Sequence, residues 1–366
     1  MADFPTQPER LTPEWLTQML RSAGQLSEDQ DVCRFSVESI GEGVGMVGKV
    51  VRIELRYRHP HSRLGAPSIV IKFSDEDEAK RAIGVKLRVY EREVTFYNKI
   101  AGSVAVPKPA CYFAAVANGS GECIVVLEDM RRYRAGDQVA GVGLAEAKQV
   151  IDALTPLHAA YWDNTGQEFL RDAMRVDSTW KEPYMQIVEG TWRACLAQFG
   201  YCIPAEVEGA LAEYVGGLRR LHTLMGDGAQ TLLHGDPRMD NLMFNEGDEG
   251  PPVVLLDWQT LMISNPLHDL ALMLSMSATV EARRSMEDEL VRYYHSKVSE
   301  RGVTGYSLEQ CYDDYDLAVL YMMSVALIMG GAFDPANERG RRLTEEVLRR
   351  SCASVVDRGM LERIPG

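Results

Sequence analysis

Apolar and polar positions alternate along the first third of the chain, and further on they recur at helical spacing. Phe35 and Val37 alternate with Ser36 and Glu38, and Val51, Ile53, Leu55 and Tyr57 alternate with Arg52, Glu54, Arg56 and Arg58. A period of two places successive side chains on opposite faces, so both stretches are predicted to be strands, the second half-buried. The segment between them carries Gly41, Gly43, Gly45 and Gly48 and reads as a glycine-rich connection. A short apolar strand is predicted at residues 68–73. From about residue 78 to 101 the pattern becomes helical, with Tyr90, Val94, Tyr97 and Ala101 on one face. Two further strands are predicted at 110–116 and 122–127, joined by the turn-forming Asn118-Gly119-Ser120-Gly121.

Beyond this point the chain reads as mainly helical. Residues 144–162 and 205–224 are amphipathic, and helical patterns run from 268 to 355. A strand-like island, 232–244 and 253–256, interrupts them. The character turns basic and polar at Arg131-Arg132-Tyr133-Arg134, which places a boundary between an N-terminal part, 1–130, and a C-terminal part, 131–366. No internal repeat and no low-complexity segment is visible. Residues 317–333 carry no charge, yet they are short for a ~30 Å hydrocarbon core. Their flanks hold Asp313, Asp314, Asp316 and Asp334 and no basic cluster, so a buried core helix is expected and no membrane span.

Composition adds limits. The 366 residues suit two domains or one large two-part unit, and 46% apolar residues can form a sizeable core. A formal net charge of −14 argues against non-specific nucleic-acid binding. The seven cysteines are scattered and form no Cys-x-x-Cys pair, so neither a disulfide framework nor a zinc site is expected, and a reducing cytoplasm fits. Residues 1–10 are polar and lack the apolar stretch of a secretory leader.

The densest chemistry lies in His234-Gly235-Asp236-Pro237-Arg238-Met239-Asp240-Asn241. Phosphoryl transfer from ATP needs a carboxylate to orient the acceptor hydroxyl and take its proton, and oxygen ligands for Mg²⁺ nearby. Asp236 can serve the first role and Asn241 the second. Further along, the apolar run Val253-Val254-Leu255-Leu256 ends in Asp257, a suitable place for a hard-cation ligand. Taken singly, either aspartate reads as a loop cap. Their order and spacing together carry the catalytic reading.

HGDPRMDN followed by LLDWQ resembles the catalytic and metal-binding loops of the aminoglycoside phosphotransferase and choline kinase group, over roughly residues 35–275. Protein kinases carry His-Arg-Asp-x-x-x-x-Asn and Asp-Phe-Gly in these places. Gly235 stands where they have arginine, as it does in small-molecule kinases, and Trp258-Gln259 replaces Phe-Gly. Gln259 is more similar to the ecdysteroid-kinase-like branch than to aminoglycoside enzymes. The resemblance implies an α+β, protein-kinase-like two-lobed fold: an N-terminal antiparallel sheet lobe with one key helix, and a mainly helical C-terminal lobe. It also implies ATP, Mg²⁺ and a small-molecule hydroxyl acceptor.

The other parts follow in the expected order. Gly43, Gly45 and Gly48 form G-x-G-x-x-G, followed by a strand and not a helix, and no acidic residue lies between Glu54 and Asp75 to hold a ribose as in dinucleotide-binding folds. The hairpin reading lets backbone amides approach ATP phosphates, the alternative being a plain glycine turn. Lys72 ends an apolar strand, and its position relative to the glycines matches the phosphate-anchoring lysine of kinases. Glu93 shares the helical face of Tyr90 and Tyr97 and is the expected partner of Lys72, whereas Glu91 is expected in solvent. The resemblance places the adenine contacts at the carbonyl of Glu128 and the amide of Met130. Arg238 occupies a position where kinases often place a cation, and an ordinary surface arginine is the other reading. Asp269 resembles the family's structural aspartate, with His234 packing the loop and His158 in the core.

Two competing readings exist. A protein kinase would need a longer activation segment than the short stretch between Asp257 and His268, and no Ala-Pro-Glu follows. A non-catalytic ATP-binding protein would usually lack one of Lys72, Asp236, Asn241 or Asp257, and all are present. The acceptor is open. Tyr161, Trp162, Phe169, Trp180, Tyr184, Trp192, Phe199, Tyr201, Tyr321, Met322 and Met323 could line a wide cleft for a sterol or macrolide, and core packing is the simpler account. The acidic balance suits an aminoglycoside or choline. Oligomeric state is not readable.

Overall fold

Thr12 and Pro13 start the first helix. The Thr12 hydroxyl accepts from the Trp15 amide at 3.1 Å, and proline at the first helical position needs no backbone donor. This helix, α1 (Pro13–Ser22), lies outside the elements expected from periodicity, although its capping signal is present in the sequence. The computed structural model describes every residue except 1–2, 41–47, 59–64, 118, 172, 177–179 and 334–337, so Gly43 and Gly45 lie outside the described residues. The chain divides into two compact units, Met1–Ser103 with Lys108–Tyr133, and Val104–Pro107 with Arg134–Gly366.

In the first unit, β1 (Val32–Ser39), β2 (Lys49–Tyr57), β3 (Ser68–Phe73), β4 (Cys111–Val116) and β5 (Cys123–Glu128) form one antiparallel sheet in the order β1-β2-β3-β5-β4. The period-two pattern predicts its faces. Val51, Ile53 and Leu55 pack with Ile69, Ile71 and Phe73 and with Ile124 and Val126, under Leu16 and Leu20 of α1. The edge strand β1 is mostly solvated, and Val37 is exposed there. The single helix expected over 78–101 is broken. Helix α2 (Glu78–Lys86) ends before Arg88, whose φ of 55° is left-handed, and α3 (Val89–Thr95) then starts and runs into a wider π-type turn at Phe96–Ile100.

The second unit is mainly helical. After the short β6 (Arg134–Ala135) come α4 (Leu144–Ala160), β7 (Met174–Arg175), α5 (Lys181–Phe199) and α6 (Ala205–Gly226). Next follow β8 (Thr231–Leu233), β9 (Leu242–Phe244), β10 (Val253–Leu255) and β11 (Met262–Ser264). Helices α7 (His268–Ser277), α8 (Val280–Glu300), α9 (Leu308–Gly331) and α10 (Glu338–Asp357) complete it. The strand-like island at 232–244 is two short strands, β8 and β9, separated by the loop of Asp236 and by a tight turn at Met239–Asn241. Two small sheets, β10-β9-β6 and β7-β11-β8, carry the loops that hold Asp236 and Asp257. Helix α9 is apolar and long enough to cross a membrane by length and composition, yet its most apolar window is mostly buried, packed on α5, α7 and α10. Tyr184 and Tyr321 stack at 5.4 Å, and with Phe199, Met322 and Met323 they are buried in this core, whereas Tyr201 is exposed.

Candidate active site

Strand β3 is central in its sheet, with Ile69, Ile71 and Phe73 buried on one face and Val70 and Lys72 half-buried on the other. Lys72 sits there with its ammonium 2.8 Å from the Glu93 carboxylate of α3, the lysine side chain 15% exposed and the glutamate 2%. Glu93 is held inward because it shares a face with the buried Tyr90 and Tyr97. Beside this pair, Lys49 and Val50 of β2 face Phe73 and Lys72 across the ladder. Gly48 has a φ of +96°, and a Cβ there would collide with the Phe73 carbonyl oxygen. Only glycine lets the chain enter β2 so close to the lysine strand.

At the end of β5, Glu128 pairs with Ile69, and its amide donates to the Ala110 carbonyl at 2.8 Å. The Met130 carbonyl accepts from the Tyr133 amide at 2.8 Å. Between them Asp129 receives Ser68 Oγ at 2.7 Å, Arg131 Nε at 2.6 Å and Arg52 Nε at 2.9 Å. Burial favours the neutral acid, but these bonds outweigh it and hold Asp129 below the usual carboxylate range. Asp129 therefore fixes the turn whose backbone was expected to meet adenine.

In the second unit the loop between β8 and β9 is built around Asp269. Its carboxylate accepts the His234 amide and the Gly235 amide, both at 2.9 Å, and faces His158 Nε2 at 3.3 Å. Asp269 is fully buried; burial disfavours its charge, but the bond and charge of His158 with the neighbouring imidazoles pull its pKa down. Gly235 has a φ of +84°, and a Cβ would strike the Thr260 carbonyl oxygen, so glycine is a packing requirement here. His234 Nε2 lies 2.9 Å from the Leu256 carbonyl, and the Leu256 amide donates to the Asn241 carbonyl at 2.9 Å. These bonds stitch the loop to the strand that delivers Asp257.

Asp236, Arg238 and Asn241 converge. Asn241 Nδ2 donates to the Asp236 carboxylate at 3.0 Å and to its carbonyl at 2.9 Å, which leaves the side-chain oxygen as the group Asn241 presents. Arg238 Nε lies 3.4 Å from Asp236, and both side chains are largely buried, so Arg238 is not a surface arginine. Burial pushes the Asp236 carboxyl up to about 6; Arg238 and Asn241 oppose this, and the charge of Asp257 adds to it. Asp257 itself has a φ of 64° and begins the tight turn Trp258–Thr260, a left-handed placement that costs a non-glycine residue about 1 kcal/mol or more.

The donor set suits Mg²⁺. Among the described residues, no three His, Cys, Asp or Glu side chains gather into a self-sufficient cage. Mg²⁺ is usually held by one or two protein carboxylates, with water and substrate phosphates supplying the other ligands. Asp257, with the Asn241 oxygen beside Asp236, fits that demand. Asp240 escaped the sequence reading. It is buried within the loop and accepts the Gln138 amide at 3.1 Å.

Comparisons with known proteins bear on the family and the fold. The model of the ecdysteroid kinase-like family matches residues 42–302. No curated protein sequence matches. Among solved structures, a putative aminoglycoside phosphotransferase from Ralstonia eutropha JMP134 shares 15% identity, covering 98% of this chain and 100% of its own, with a TM-score of 0.54. The GDP complex of aminoglycoside 2'-phosphotransferase-IIIa shares 16% identity over 92% and 99%, with a TM-score of 0.51. Choline kinase from Cryptosporidium parvum Iowa II shares 11% over 95% and 98%, with a TM-score of 0.56. At these identities the structural likeness establishes the α+β kinase-like fold.

Proposed function

The chain belongs to the ecdysteroid kinase-like family, and on that premise we propose that it is a small-molecule kinase that transfers the γ-phosphoryl group of ATP to an acceptor hydroxyl. The observation that carries the reading is the Asp236–Asn241 pairing inside a loop whose backbone is clamped by the buried Asp269. A carboxylate fixed in this way can orient a hydroxyl and receive its proton while the acceptor oxygen bonds to the γ-phosphorus. The bond from that phosphorus to the bridging oxygen breaks, and ADP leaves. Arg238 would counter charge on the moving phosphoryl group. Lys72, oriented by Glu93, would hold the α- and β-phosphates, with the Gly43–Gly48 backbone over them. The Glu128 carbonyl and Met130 amide would meet adenine. Mg²⁺, when bound, neutralises phosphate charge, and Asn241 and Asp257 are the residues that would hold it.

A protein-kinase reading finds no support in the second unit, where β11 pairs with β8 within the short stretch between Asp257 and α7. We place the protein in the cytoplasm, in keeping with seven free cysteines and the need for ATP, with a small-molecule partner and neither nucleic acid nor membrane. The aminoglycoside and choline enzymes of the same fold support an amino-alcohol or sugar-like acceptor, and the family name supports a sterol. The test incubates the protein and Asp236→Asn with Mg²⁺-ATP and pooled aminoglycosides, sterols, macrolides, sugars and amino-alcohols, followed by mass spectrometry. A product one phosphate heavier, absent with the variant, is expected. Failure of the wild type to bind Mg²⁺-ATP in calorimetry overturns the reading.

A further inference from the structure

The C-terminal helix α10 lies outside the residues matched by the family, yet it holds a buried guanidinium whose partners lead to the catalytic loop. Arg350 is 2% exposed. It donates to the Gln138 carbonyl at 2.6 Å, the Val139 carbonyl at 2.7 Å and the Met276 carbonyl at 3.3 Å. Its acidic neighbour, Glu346, is 3.4 Å away and partly exposed. Burying a cation costs free energy, and here the three carbonyl bonds, with the charges of Glu346 and Asp137, oppose that cost.

Both segments that Arg350 grips touch the loop between Asp236 and Asn241. The Gln138 amide donates to Asp240 Oδ1 at 3.1 Å, and the Gly136 amide donates to the Leu242 carbonyl at 2.9 Å. A Cβ on Gly136 would collide with the Met239 carbonyl oxygen, so the two strands of chain are in direct contact. From the other side, Ser277 Oγ at the end of α7 accepts the Met239 amide at 3.3 Å, and the Ser277 carbonyl receives the Val142 amide at 2.8 Å. Arg350 thus sits at the joint of the 136–142 segment and the α7 terminus, and each of these holds one residue of the turn Met239–Asn241. Arg339, at the start of the same helix, reaches Asp240 Oδ1 at 3.5 Å.

We infer that Arg350 is a positioning residue for phosphoryl transfer: through Gln138–Asp240 and Ser277–Met239 it sets the placement of Asp236 and Asn241 without touching any reactant. The inference rests on the kinase reading and adds a part of the chain that the family match does not include.

The test compares wild type, Arg350→Met, Arg350→Lys and Ser277→Ala, using Mg²⁺-ATP hydrolysis with water as acceptor, nucleotide affinity by calorimetry, and amide hydrogen exchange. Arg350→Met is expected to lower kcat at least 10-fold while the Kd for Mg²⁺-ATP changes less than 3-fold. Exchange at the Gln138 and Met239 amides should accelerate while the α8 amides keep their protection. Arg350→Lys, which can still donate to one carbonyl, should recover part of kcat. Ser277→Ala should lower kcat by a smaller factor and free the Met239 amide alone. If Arg350→Met folds and keeps its kcat, or if its exchange rises equally throughout the second unit, the inference is overturned. If Arg350→Met does not fold, an unchanged Ser277→Ala overturns it. A wild type that binds no nucleotide refutes the kinase reading instead, and exchange alone then decides whether Arg350 orders the loop.

Discussion

The ammonium of Lys72 and the carboxylate of Glu93 stand 2.8 Å apart, nearly excluded from water, one on the central strand of the sheet and the other on the helix behind it. Removing one partner of a buried pair leaves the other uncompensated, at about 3 kcal/mol or more. Lys72→Met is expected to raise KM for ATP and lower kcat/KM at least 100-fold, with a lower Tm. Glu93→Gln keeps a polar partner and should lose about 10-fold. Steady-state kinetics at varied ATP, with thermal melts alongside, check both. Full activity in Lys72→Met removes it from the phosphate site.

Asp236 and Asp257 are expected to fail in different ways. Asp236→Asn keeps the Asn241 contact geometry but cannot take a proton, so kcat should fall by about 10³ with nucleotide affinity changed less than 3-fold. Asp257→Ala should instead abolish the Mg²⁺ dependence of nucleotide affinity. Calorimetry with and without Mg²⁺ separates the two, and identical behaviour of both variants contradicts the division of roles.

Asp269 should behave as a structural residue with a catalytic consequence. Its carboxylate takes two backbone amides, and Asp269→Asn turns a donor toward one of them. A loss of about 3 kcal/mol is expected, because a buried donor loses its acceptor and His158 loses its charged neighbour. Denaturant midpoints measure this. The activity surviving in the folded fraction should still be reduced, since Gly235 and Asp236 follow the lost anchor.

How much of this was legible depends on distance along the chain. Lys72 and Glu93 can be read from the sequence because a lysine ending an apolar strand and a glutamate on an apolar helical face each need a partner. Asp236 and Asn241 are legible because one short loop holds both. The break at Arg88 is not, since a left-handed arginine leaves no compositional mark. Helix α1 was announced by Thr12-Pro13, a local signal that periodicity alone passes over. Asp240 could have been suspected from its place beside Asn241, but its role depends on Gln138. Arg350 was out of reach, because its meaning comes from carbonyls of residues 138, 139 and 276, which only the fold assembles.

His222 gives the last expectation, a dependence of stability on pH. The ring is buried in α6 beside Tyr184 and Tyr321, with Nδ1 3.1 Å from the Val176 carbonyl. Burial disfavours its charged form and pushes its pKa down to about 4; the Val176 bond opposes this, and the nearby Lys181 and His268 add to it. An unfolded histidine titrates near 6.5. Between these values the unfolded chain binds a proton that the native protein refuses, so this group's contribution is complete above pH ~6.5 and is lost as pH falls toward 4. At pH 5 the loss is about 2 kcal/mol. Asp314, which burial pushes up to about 6, acts in the opposite sense: its native form takes up a proton before the unfolded one does, so acidification through that window stabilises the fold. Asp236, also pushed up to about 6 by burial, acts in the same sense as Asp314; together they oppose His222 in wild type, and a simple acid melt would therefore hide it. The comparison that isolates it is wild type against His222→Gln, with denaturant stability measured at pH 7.5 and pH 5. The stability difference between them should move by about 2 kcal/mol in favour of the variant on acidification. A difference independent of pH would show that His222 titrates in the native protein as it does in the unfolded chain.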